Sequence, residues 1–333
     1  MEHLDGRKTS DMQDNKDDFA LQRYPWGDDL PYNSAAERFK ERFGGRVQKV
    51  SLSGGFTCPN RDGRVGTGGC TFCNNEAFVP FYTHHRDIET QIDEGLGFLR
   101  GRYPRADRFV AYFQAYTNTY GDLDAIKTLY ARVLAHPDIR GVVVGTRPDC
   151  VDEATFDFFA ELSRRYFVSL EFGVESVYDD VLAAVNRGHD FAVARRAIRM
   201  AAERGIHSVG HFMFGLTERS REMESVEAIN ALPLSSVKFH QLQVMRSTAM
   251  GDRWLQGDRK GIHLFDTREE YQAFIIDFLE RLRPDLPVER FISETPPRYR
   301  LAPDWGLQWR VPEIRREIIG RMRAEGRWQG RKF

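Results

Sequence analysis

The sequence predicts an α/β protein built on a parallel β-sheet that is covered by helices. Two observations support this prediction. Between residues 47 and 243, six short apolar segments alternate with five segments of helical length, which is typical of repeated strand–helix units. The chain of 333 residues is also 41% hydrophobic, enough to bury a substantial core. The alternation alone does not distinguish an open barrel from a closed barrel or a doubly wound sheet.

The elements follow in order along the chain. Residues 1–20 are polar, rich in Asp and without a hydrophobic period, which predicts a disordered tail. Residues 34–43 predict a short helix with Ser34 as its N-cap. The predicted strands are 47–52, 109–114, 141–146, 167–173, 208–214 and 236–243. The predicted helices between them are 86–101, 123–135, 153–165, 190–204 and 220–232.

The regular alternation ends near residue 245, which divides the chain into a core at 21–245 and a C-terminal α/β extension at 246–333. The extension contains a predicted helix at 266–282 and a predicted strand at 288–293. From Arg298 onward, ten Lys or Arg residues accompany four Asp or Glu residues. Trp305, Trp309 and Trp328 lie among them. This composition favours contact with nucleic acid through phosphate charge and base stacking. The alternative is a closing segment with solvated arginines and buried tryptophans.

Composition also bears on the compartment. The formal net charge of −1 does not indicate any class of partner. No apolar run approaches the roughly 20 residues that span a bilayer, and the acidic N-terminus is not a signal peptide. We therefore expect a cytoplasmic protein.

Three of the four cysteines lie in one Gly-rich stretch, at Cys58, Cys70 and Cys73. In a chain too large to need disulfides, such a group indicates a metal or Fe–S site. Structural zinc takes four protein ligands, and electron-transfer clusters usually take four cysteines. Three cysteines on a four-iron cluster would leave one iron open. The alternative is a zinc site completed by His84 or His85. Cys150 has no cysteine near it in sequence and is predicted to be structural.

This stretch resembles the cluster loop of radical S-adenosylmethionine (SAM) enzymes. The resemblance rests on the strand at 47–52 and the runs Gly-Phe-Thr-Cys-Pro-Asn-Arg-Asp-Gly and Gly-Gly-Cys-Thr-Phe-Cys. More narrowly, the runs are similar to a bacterial group related to the catalytic subunit of Elongator, which shares the long gap between the first two cysteines. The resemblance implies a partial (β/α)6 TIM-like barrel. It also implies a [4Fe–4S] cluster on Cys58, Cys70 and Cys73, with SAM bound to the fourth iron.

The resemblance further implies a set of SAM contacts. Phe72 matches the aromatic position that lies against the adenine. Gln114 and Thr117 occupy the place where related enzymes carry Gly-Gly-Glu, so neutral acceptors would face the SAM amino group. Glu175 lies where related enzymes contact the ribose or amino-acid end of SAM. Arg187, within Asn-Arg-Gly-His, is the expected partner of the SAM carboxylate, which a guanidinium fork suits.

Other polar residues on the predicted strands are also candidates. Glu171 lies in an apolar strand and is either a cofactor contact or half of a structural ion pair. His211 would face SAM or the substrate, or is a satisfied core residue. Lys238 and His240 point to one face, where either would hold an anionic substrate group unless that face is merely solvated. Arg147, in a Thr-Arg-Pro-Asp run of the Elongator-like type, is expected at the barrel mouth or in a surface ion pair.

The resulting hypothesis is a radical SAM enzyme that cleaves SAM reductively and abstracts a substrate hydrogen. The resemblance implies tRNA as partner, with chemistry on the C5 side chain of the wobble uridine, remodelling carboxymethylaminomethyl towards aminomethyl. It also implies an electron donor such as flavodoxin or ferredoxin. One alternative is a radical SAM enzyme that acts on a small metabolite. The other is a non-catalytic Fe–S or zinc protein, a redox sensor or scaffold.

Overall fold

The computed structural model of the chain describes residues 23–83, 87–306 and 310–333. The predicted tail at 1–20 lies outside the described residues, as do His84, His85 and Trp309. No helix in the described ranges is both long and apolar enough to cross a lipid bilayer.

Seven parallel strands form one curled sheet, and their order in the sheet is their order in the chain. They are Val47–Leu52 (β1), Arg108–Phe113 (β2), Ile139–Thr146 (β3), Phe167–Glu175 (β4), His207–Phe214 (β5), Ser236–Gln241 (β6) and, after a short strand at Val244–Met245 (β7), Val288–Arg290 (β8). Because this order never reverses, the sheet is a partial barrel and not a doubly wound sheet. The predicted α/β class and partial TIM-like barrel are confirmed.

The strand count differs from the prediction by one. The segment assigned to a strand of the extension is β8, which pairs with β6 and so becomes the seventh strand of the barrel. The predicted sixth strand is also shorter than expected, because β7 leaves the barrel sheet. It pairs instead with Arg300–Ala302 (β9) in an antiparallel ribbon.

Helices connect the strands and pack against the sheet. They are Ala35–Phe43 (α1), Ile88–Arg102 (α2), Leu123–Ala135 (α3), Glu153–Ser163 (α4), Asp179–Ala184 (α5), Phe191–Glu203 (α6), Arg219–Asn230 (α7), Ala249–Leu255 (α8), Arg268–Arg281 (α9) and Val311–Ala324 (α10). Asp87, Asp122, Asp152 and Asp190 accept N–H groups in the first turns of α2, α3, α4 and α6. Ser34 precedes α1 as predicted, but its side chain makes no cap hydrogen bond.

Helix α9 closes the barrel beside β5 and β6 through aromatic packing. Phe274 and Phe278 lie with their ring centroids 4.9 Å from that of Phe214, and Phe278 is 5.2 Å from Phe239. These rings are buried, and such pairs stabilise a core beyond the area that they bury. The packing holds α9, and with it β8, against the rest of the sheet.

The basic C-terminal segment packs back onto α9. Glu280 of that helix is fully buried and forms ion pairs with Arg327 (2.7 Å), Arg331 (3.4 Å) and Lys332 (2.5 Å). Trp305 donates its indole N–H to a backbone carbonyl at 2.8 Å and packs against the core. This arrangement favours the closing-segment alternative for the last residues of the chain, because Arg327, Arg331 and Lys332 contact a buried carboxylate.

Candidate active site

A cavity opens at the carboxyl ends of the strands, where the chemistry of parallel barrels gathers. Its empty space, mouth included, is about 1220 Å³. Among its lining residues are Cys58, Cys70, Phe72, Cys73, Gln114, Thr117, Arg147, Glu171, Glu175, Arg187, His211 and His240. The structure therefore brings together every site residue expected from the sequence except Lys238.

The cluster loop, residues 53–74, contributes three thiols to this cavity. A tight turn brings Cys70 and Cys73 together, because the N–H of Cys73 donates to the carbonyl of Cys70 at 3.0 Å. The carbonyl of Cys58 accepts a hydrogen bond from the N–H of Arg61 at 2.8 Å, which forms a turn directly after Cys58. The guanidinium of Arg61 then donates to the carbonyl of Cys73 at 2.8 Å. The loop is thus tied to itself on both sides of its long cysteine gap.

Asn60 joins the cluster loop to the segment that follows α5. Its side-chain amide donates to the carbonyl of Asn186 at 2.5 Å and lies 3.7 Å from Sγ of Cys70. Its carbonyl accepts the N–H of Gly69 at 2.7 Å. Gly69 has φ +81°, a conformation that glycine adopts without strain. The sequence contained Asn60 only as part of the motif, and this bridging role was not predicted.

Arg187 lies at the junction between the cluster loop and β4. Its Nη1 is 3.5 Å from Sγ of Cys70, and its Nη2 donates to the carbonyl of Gly173. The side chain is buried, and its Nε has no partner among the described residues. A buried guanidinium with an unsatisfied N–H, facing a thiol, is suited to an anionic ligand in the cavity.

Glu175 ends β4 at an irregular position in the sheet. The pairing of β4 with β5 shifts register between Gly173 and Glu175, and Glu175 has φ +69°. Its Oε1 is 3.8 Å from the guanidinium of Arg187. Burial raises the pKa of Glu175, and Arg187 and Arg147 act in the opposite direction. A non-glycine residue in this strained conformation beside a cavity is common at functional sites.

Arg147 holds the Arg187 segment in place from beneath. Its guanidinium forms a two-point ion pair with Asp149 (2.9 and 2.7 Å) and donates to the carbonyl of Arg187 at 2.8 Å. Arg147 is buried, so the ion pair is not the surface pair considered from sequence. All three contacts are structural, and through them Arg147 stabilises the loop that contains Arg187.

The loop after β2 is fixed by Asn118, which the sequence did not single out. Its side-chain amide donates to the carbonyls of Phe113, Ala115 and Gly145 at 2.9–3.1 Å. These bonds set the course of the backbone that carries Gln114 and Thr117 into the cavity. Asn is a typical turn residue, but its partners lie on two strands, so no local signal identified it.

The donor set fits the cofactors that the resemblance implies. Burial and the neighbouring Cys70 raise the pKa of Cys73 to about 11, so a Cys73 thiolate needs a cation to stabilise it. Iron supplies that charge, and the Nε of Arg187 and Oδ1 of Asn60 are buried polar atoms without partners. Among the described residues, no three His, Cys, Asp or Glu side chains are grouped as a single metal ion would require.

Comparison with known families agrees with this geometry. Residues 60–228, just over half of the chain, match the model described as the Radical SAM superfamily. Residues 234–321 match the model described as the Radical_SAM C-terminal domain. The chain belongs to the radical SAM superfamily. Members of this family use a [4Fe–4S] cluster and SAM, and these are the cofactors of this radical SAM enzyme.

The chain is also similar to individual known proteins. It is 34% identical to Protein YhcC of Escherichia coli over 79% of this chain and 84% of YhcC. It is 29% identical to Elongator complex protein 3 of Schizosaccharomyces pombe over 36% of this chain and 22% of that protein. The structure of archaeal Methanocaldococcus infernus Elp3 aligns with a TM-score of 0.58 and 14% identity, covering 85% of this chain and 64% of that one. At this identity the structural likeness shows the shared fold alone.

Below the cavity, the radical SAM barrel contains a layer of paired charges. Glu171 contacts Lys238, lies 3.0 Å from Lys49 and accepts hydrogen bonds from Tyr112 and His211, both at 3.0 Å. Although burial opposes it, Lys238 and Lys49 hold the pKa of Glu171 well below its ordinary value. Glu171 therefore makes the contacts of a structural ion pair, the alternative considered from the sequence. Each of its two carboxylate oxygens has two partners.

Lys238 is the prediction that the structure corrects. Its ammonium lies between Glu171 and Glu289, with 3.3 Å to the latter, and the side chain is 5% exposed. The strand alternation predicted its inward direction correctly. Its charge, however, is neutralised by two carboxylates, and it does not line the cavity, so it is not placed to hold a substrate anion.

His240 lies above Lys238 and does line the cavity. Its ring contacts the guanidinium of Arg290 at 3.1 and 3.2 Å, and its centroid is 5.4 Å from that of His211. Burial and Arg290 lower the pKa of His240 well below its ordinary value, and burial lowers that of His211 to about 4. Both imidazoles are therefore neutral at physiological pH. Arg290 was not predicted from the sequence.

Proposed function

We propose that Cys58, Cys70 and Cys73 hold the [4Fe–4S] cluster and that Arg187 binds the carboxylate of SAM. The observation that carries this proposal is the position of Arg187, which lines the cavity 3.5 Å from Sγ of Cys70 with a buried, unsatisfied Nε. When bound, the cluster and SAM supply reductive cleavage of SAM, which generates a radical that abstracts hydrogen from the substrate. The electron would come from a donor such as flavodoxin or ferredoxin.

The remaining SAM contacts follow from the lining of the cavity. Phe72 offers a ring for the adenine, and Gln114 and Thr117 offer acceptors for the amino group at the end of β2. Glu175, beside Arg187, is placed for a donor of the ribose or amino-acid end. His211 also lines the cavity, and as a neutral imidazole it orients a ligand without adding charge.

Arg187→Ala tests this assignment in the anaerobically reconstituted protein. Wild type is expected to contain a [4Fe–4S] cluster whose low-temperature EPR signal changes with SAM, and to form 5′-deoxyadenosine after reduction. Arg187→Ala should retain iron and sulfide but lose at least tenfold in SAM affinity, because a charge-assisted contact is removed. The matched control is Arg196→Ala, an exposed arginine on α6. Bound zinc in place of iron, or equal SAM affinity in both variants, would contradict the proposal.

We further propose that the substrate is tRNA, modified at the C5 side chain of the wobble uridine. The partial similarity to Elongator complex protein 3 supports this choice, and so does the charge at the mouth of the cavity. Three exposed arginines lie there without an ion pair in the described part of the chain: Arg64, Arg246 and Arg298. Arg64 lies over the ring of Tyr120 at 5.6 Å, and Arg298 over that of Tyr299 at 4.9 Å.

These arginines lie on segments next to residues that line the cavity. Arg64 lies on the cluster loop, and the backbone of Arg246 is bonded to Asn74, which lines the cavity, and to Tyr299. Unpaired guanidinium groups beside aromatic rings suit RNA phosphates and unstacked bases. The proposed RNA contact is therefore the mouth, including Arg298, and not the last residues of the C-terminal segment, where Arg327, Arg331 and Lys332 pair with Glu280.

Charge reversal at the mouth tests RNA binding. Arg246→Glu with Arg298→Glu should weaken tRNA binding and reduce the slope of log K against log salt by about 1.4–1.8, because two phosphate contacts are lost. Arg195→Glu with Arg199→Glu, on the exposed face of α6, makes the same charge change away from the mouth and should leave the slope unchanged. In parallel, nucleoside analysis of tRNA from a deletion strain should show an altered wobble uridine. An unchanged profile would refute the tRNA substrate.

A further inference from the structure

Among the described residues, one strand cation that lines the cavity forms no ion pair within the protein. The buried layer contains two lysines and two carboxylates, which pair among themselves: Lys49 contacts Glu171 (3.0 Å) and Glu289 (2.9 Å), and Lys238 contacts the same two groups. This quartet is electrically balanced. Arg290 lies next to it on β8 and has no ion pair with any carboxylate among the described residues.

A bulge in β8 turns Arg290 towards the cavity. Val288 pairs with Val237, and Arg290 pairs with Lys238, so Glu289 is an extra residue on this strand. The bulge allows Glu289 to complete the charge quartet while the next residue lines the cavity. Bulges re-aim side chains in this way and are over-represented next to active sites.

The surroundings of Arg290 leave its guanidinium ready for a ligand. One Nη contacts the ring nitrogens of His240, and Nε is buried without a partner. Since His240 is neutral, it does not balance the charge of Arg290. Gln241 is not an alternative partner, because its amide oxygen and nitrogen bond the backbone of Ser293 at 2.8 Å each.

No other acidic group of the cavity is free to pair with Arg290. Glu171 is held by the two lysines, His211 and Tyr112, and Glu175 faces Arg187. These are the carboxylates that line the cavity in the described part of the chain. Arg290 is half-buried, so water screens its unpaired charge only in part, and an anion that enters the cavity would be stabilised beside it.

We infer that Arg290 binds a carboxylate group of the substrate, with His240 positioning the guanidinium. The inference rests on the proposed function, in which the side chain of the wobble uridine enters this cavity, and it assigns Arg290 as the residue that recognises the end of that side chain. A planar guanidinium fork recognises a planar carboxylate by two parallel hydrogen bonds. Arg290 would therefore determine which uridine side chain is accepted, selecting one that ends in a carboxylate over a neutral or cationic one.

Equilibrium binding to the reconstituted, SAM-loaded protein tests this inference. The probes are the nucleoside 5-carboxymethylaminomethyluridine and its methyl ester, which differ in the charge of the terminal group and by one methyl group. Wild type should bind the acid at least tenfold more tightly than the ester. Arg290→Gln should bind both equally, and Arg290→Lys should retain part of the preference. The control Arg196→Gln, on the surface of α6, should behave as wild type.

Each outcome bears on a separate claim. Equal affinity of wild type for acid and ester, no detectable binding of the acid, or a preference that survives in Arg290→Gln would overturn the inference. A fall in SAM affinity in Arg290→Gln would also overturn it, because the guanidinium would then serve the cofactor. The tRNA proposal is judged separately, by binding and nucleoside analysis of tRNA with wild type. A preference for the acid without any action on tRNA would leave Arg290 as a carboxylate site and refute only the tRNA substrate.

Discussion

Replacing Lys238 by Met tests whether the charge layer beneath the cavity is structural. Lys238 is 5% exposed and contacts Glu171 and Glu289, both nearly inaccessible to water. Met has a similar length and no charge, so the change removes the ammonium with little change in volume. The quartet then holds one lysine against two carboxylates and carries an uncompensated negative charge.

The expected cost is about 3 kcal/mol, the lower end of the range for breaking a buried ion pair. The lower end applies because other donors remain. Glu171 keeps Lys49, Tyr112 and His211, each at 3.0 Å, and Glu289 keeps Lys49 at 2.9 Å. The deficit should also depend on pH. Lys238 lowers the pKa of His211, so its removal raises that pKa from about 4 and lets the imidazole take up a proton as pH falls. Lys238→Met should therefore be less destabilised at pH 5.5 than at pH 8.

The assay is urea denaturation under anaerobic conditions of wild type, Lys238→Met, Glu171→Gln and the double variant. The double variant should be more stable than the sum of the single effects predicts, by at least about 1 kcal/mol, because it restores charge balance. An effect of Lys238→Met below about 1 kcal/mol, or strictly additive effects, would refute the view that this lysine is neutralised within the protein.

Three further predictions concern other parts of the fold. A Cβ at Gly173 would lie 2.6 Å from Nη2 of Arg187, so Gly173→Ala should displace the guanidinium and weaken SAM binding at least tenfold. The control is Gly97→Ala, on α2 with open space around it, which should stabilise the protein by about 1 kcal/mol. Glu280→Gln should destabilise the C-terminal segment by about 3 kcal/mol and increase its backbone hydrogen exchange, whereas unchanged exchange would argue against the ion-pair anchor. Burial lowers the pKa of His207 from 6.5 to about 4, so the folded state favours the neutral ring. The contribution of this neutral ring to the free energy of unfolding is fully present above pH 6.5 and is lost as the pH falls towards 4. His207→Gln should remove up to about 3 kcal/mol of that pH dependence in thermal denaturation, and identical pH profiles would contradict it.

Most of the barrel could be predicted from the sequence, because parallel strands that are buried on both faces consist of continuous apolar runs. Strands β1 to β6 and helices α2, α3, α4, α6 and α7 begin and end within a few residues of their predicted bounds. The membership of β8 in the sheet was not predictable in the same way. Its pairing with β6 spans a helix, α9, and depends on packing such as that of Phe278 against Phe239 and Phe214, which no local pattern contains.

The site was predictable where a motif carried it and not where it depended on distant partners. The cysteines and Arg187 lie in short runs and meet in one cavity as expected. Asn118 and Asn60 fix the loops of that cavity through bonds to backbone groups on other elements. Such contacts leave no trace in spacing or composition, because the donor and acceptor are separated by tens of residues.

Charge is the property for which sequence position was least informative, and β8 shows why. Alternation along β6 correctly directed Lys238 inward, but whether an inward lysine is free depends on the carboxylates that face it, and these come from β4 and β8. On β8, alternation would place Glu289 and Arg290 on opposite faces, yet the bulge lets one complete the quartet and the other line the cavity. The net count of charges in the interior therefore matters more than any single residue. With the quartet balanced and both histidines neutral, Arg290 is the inward strand cation left without a carboxylate in the described part of the chain, so a substrate anion would gain from pairing with it.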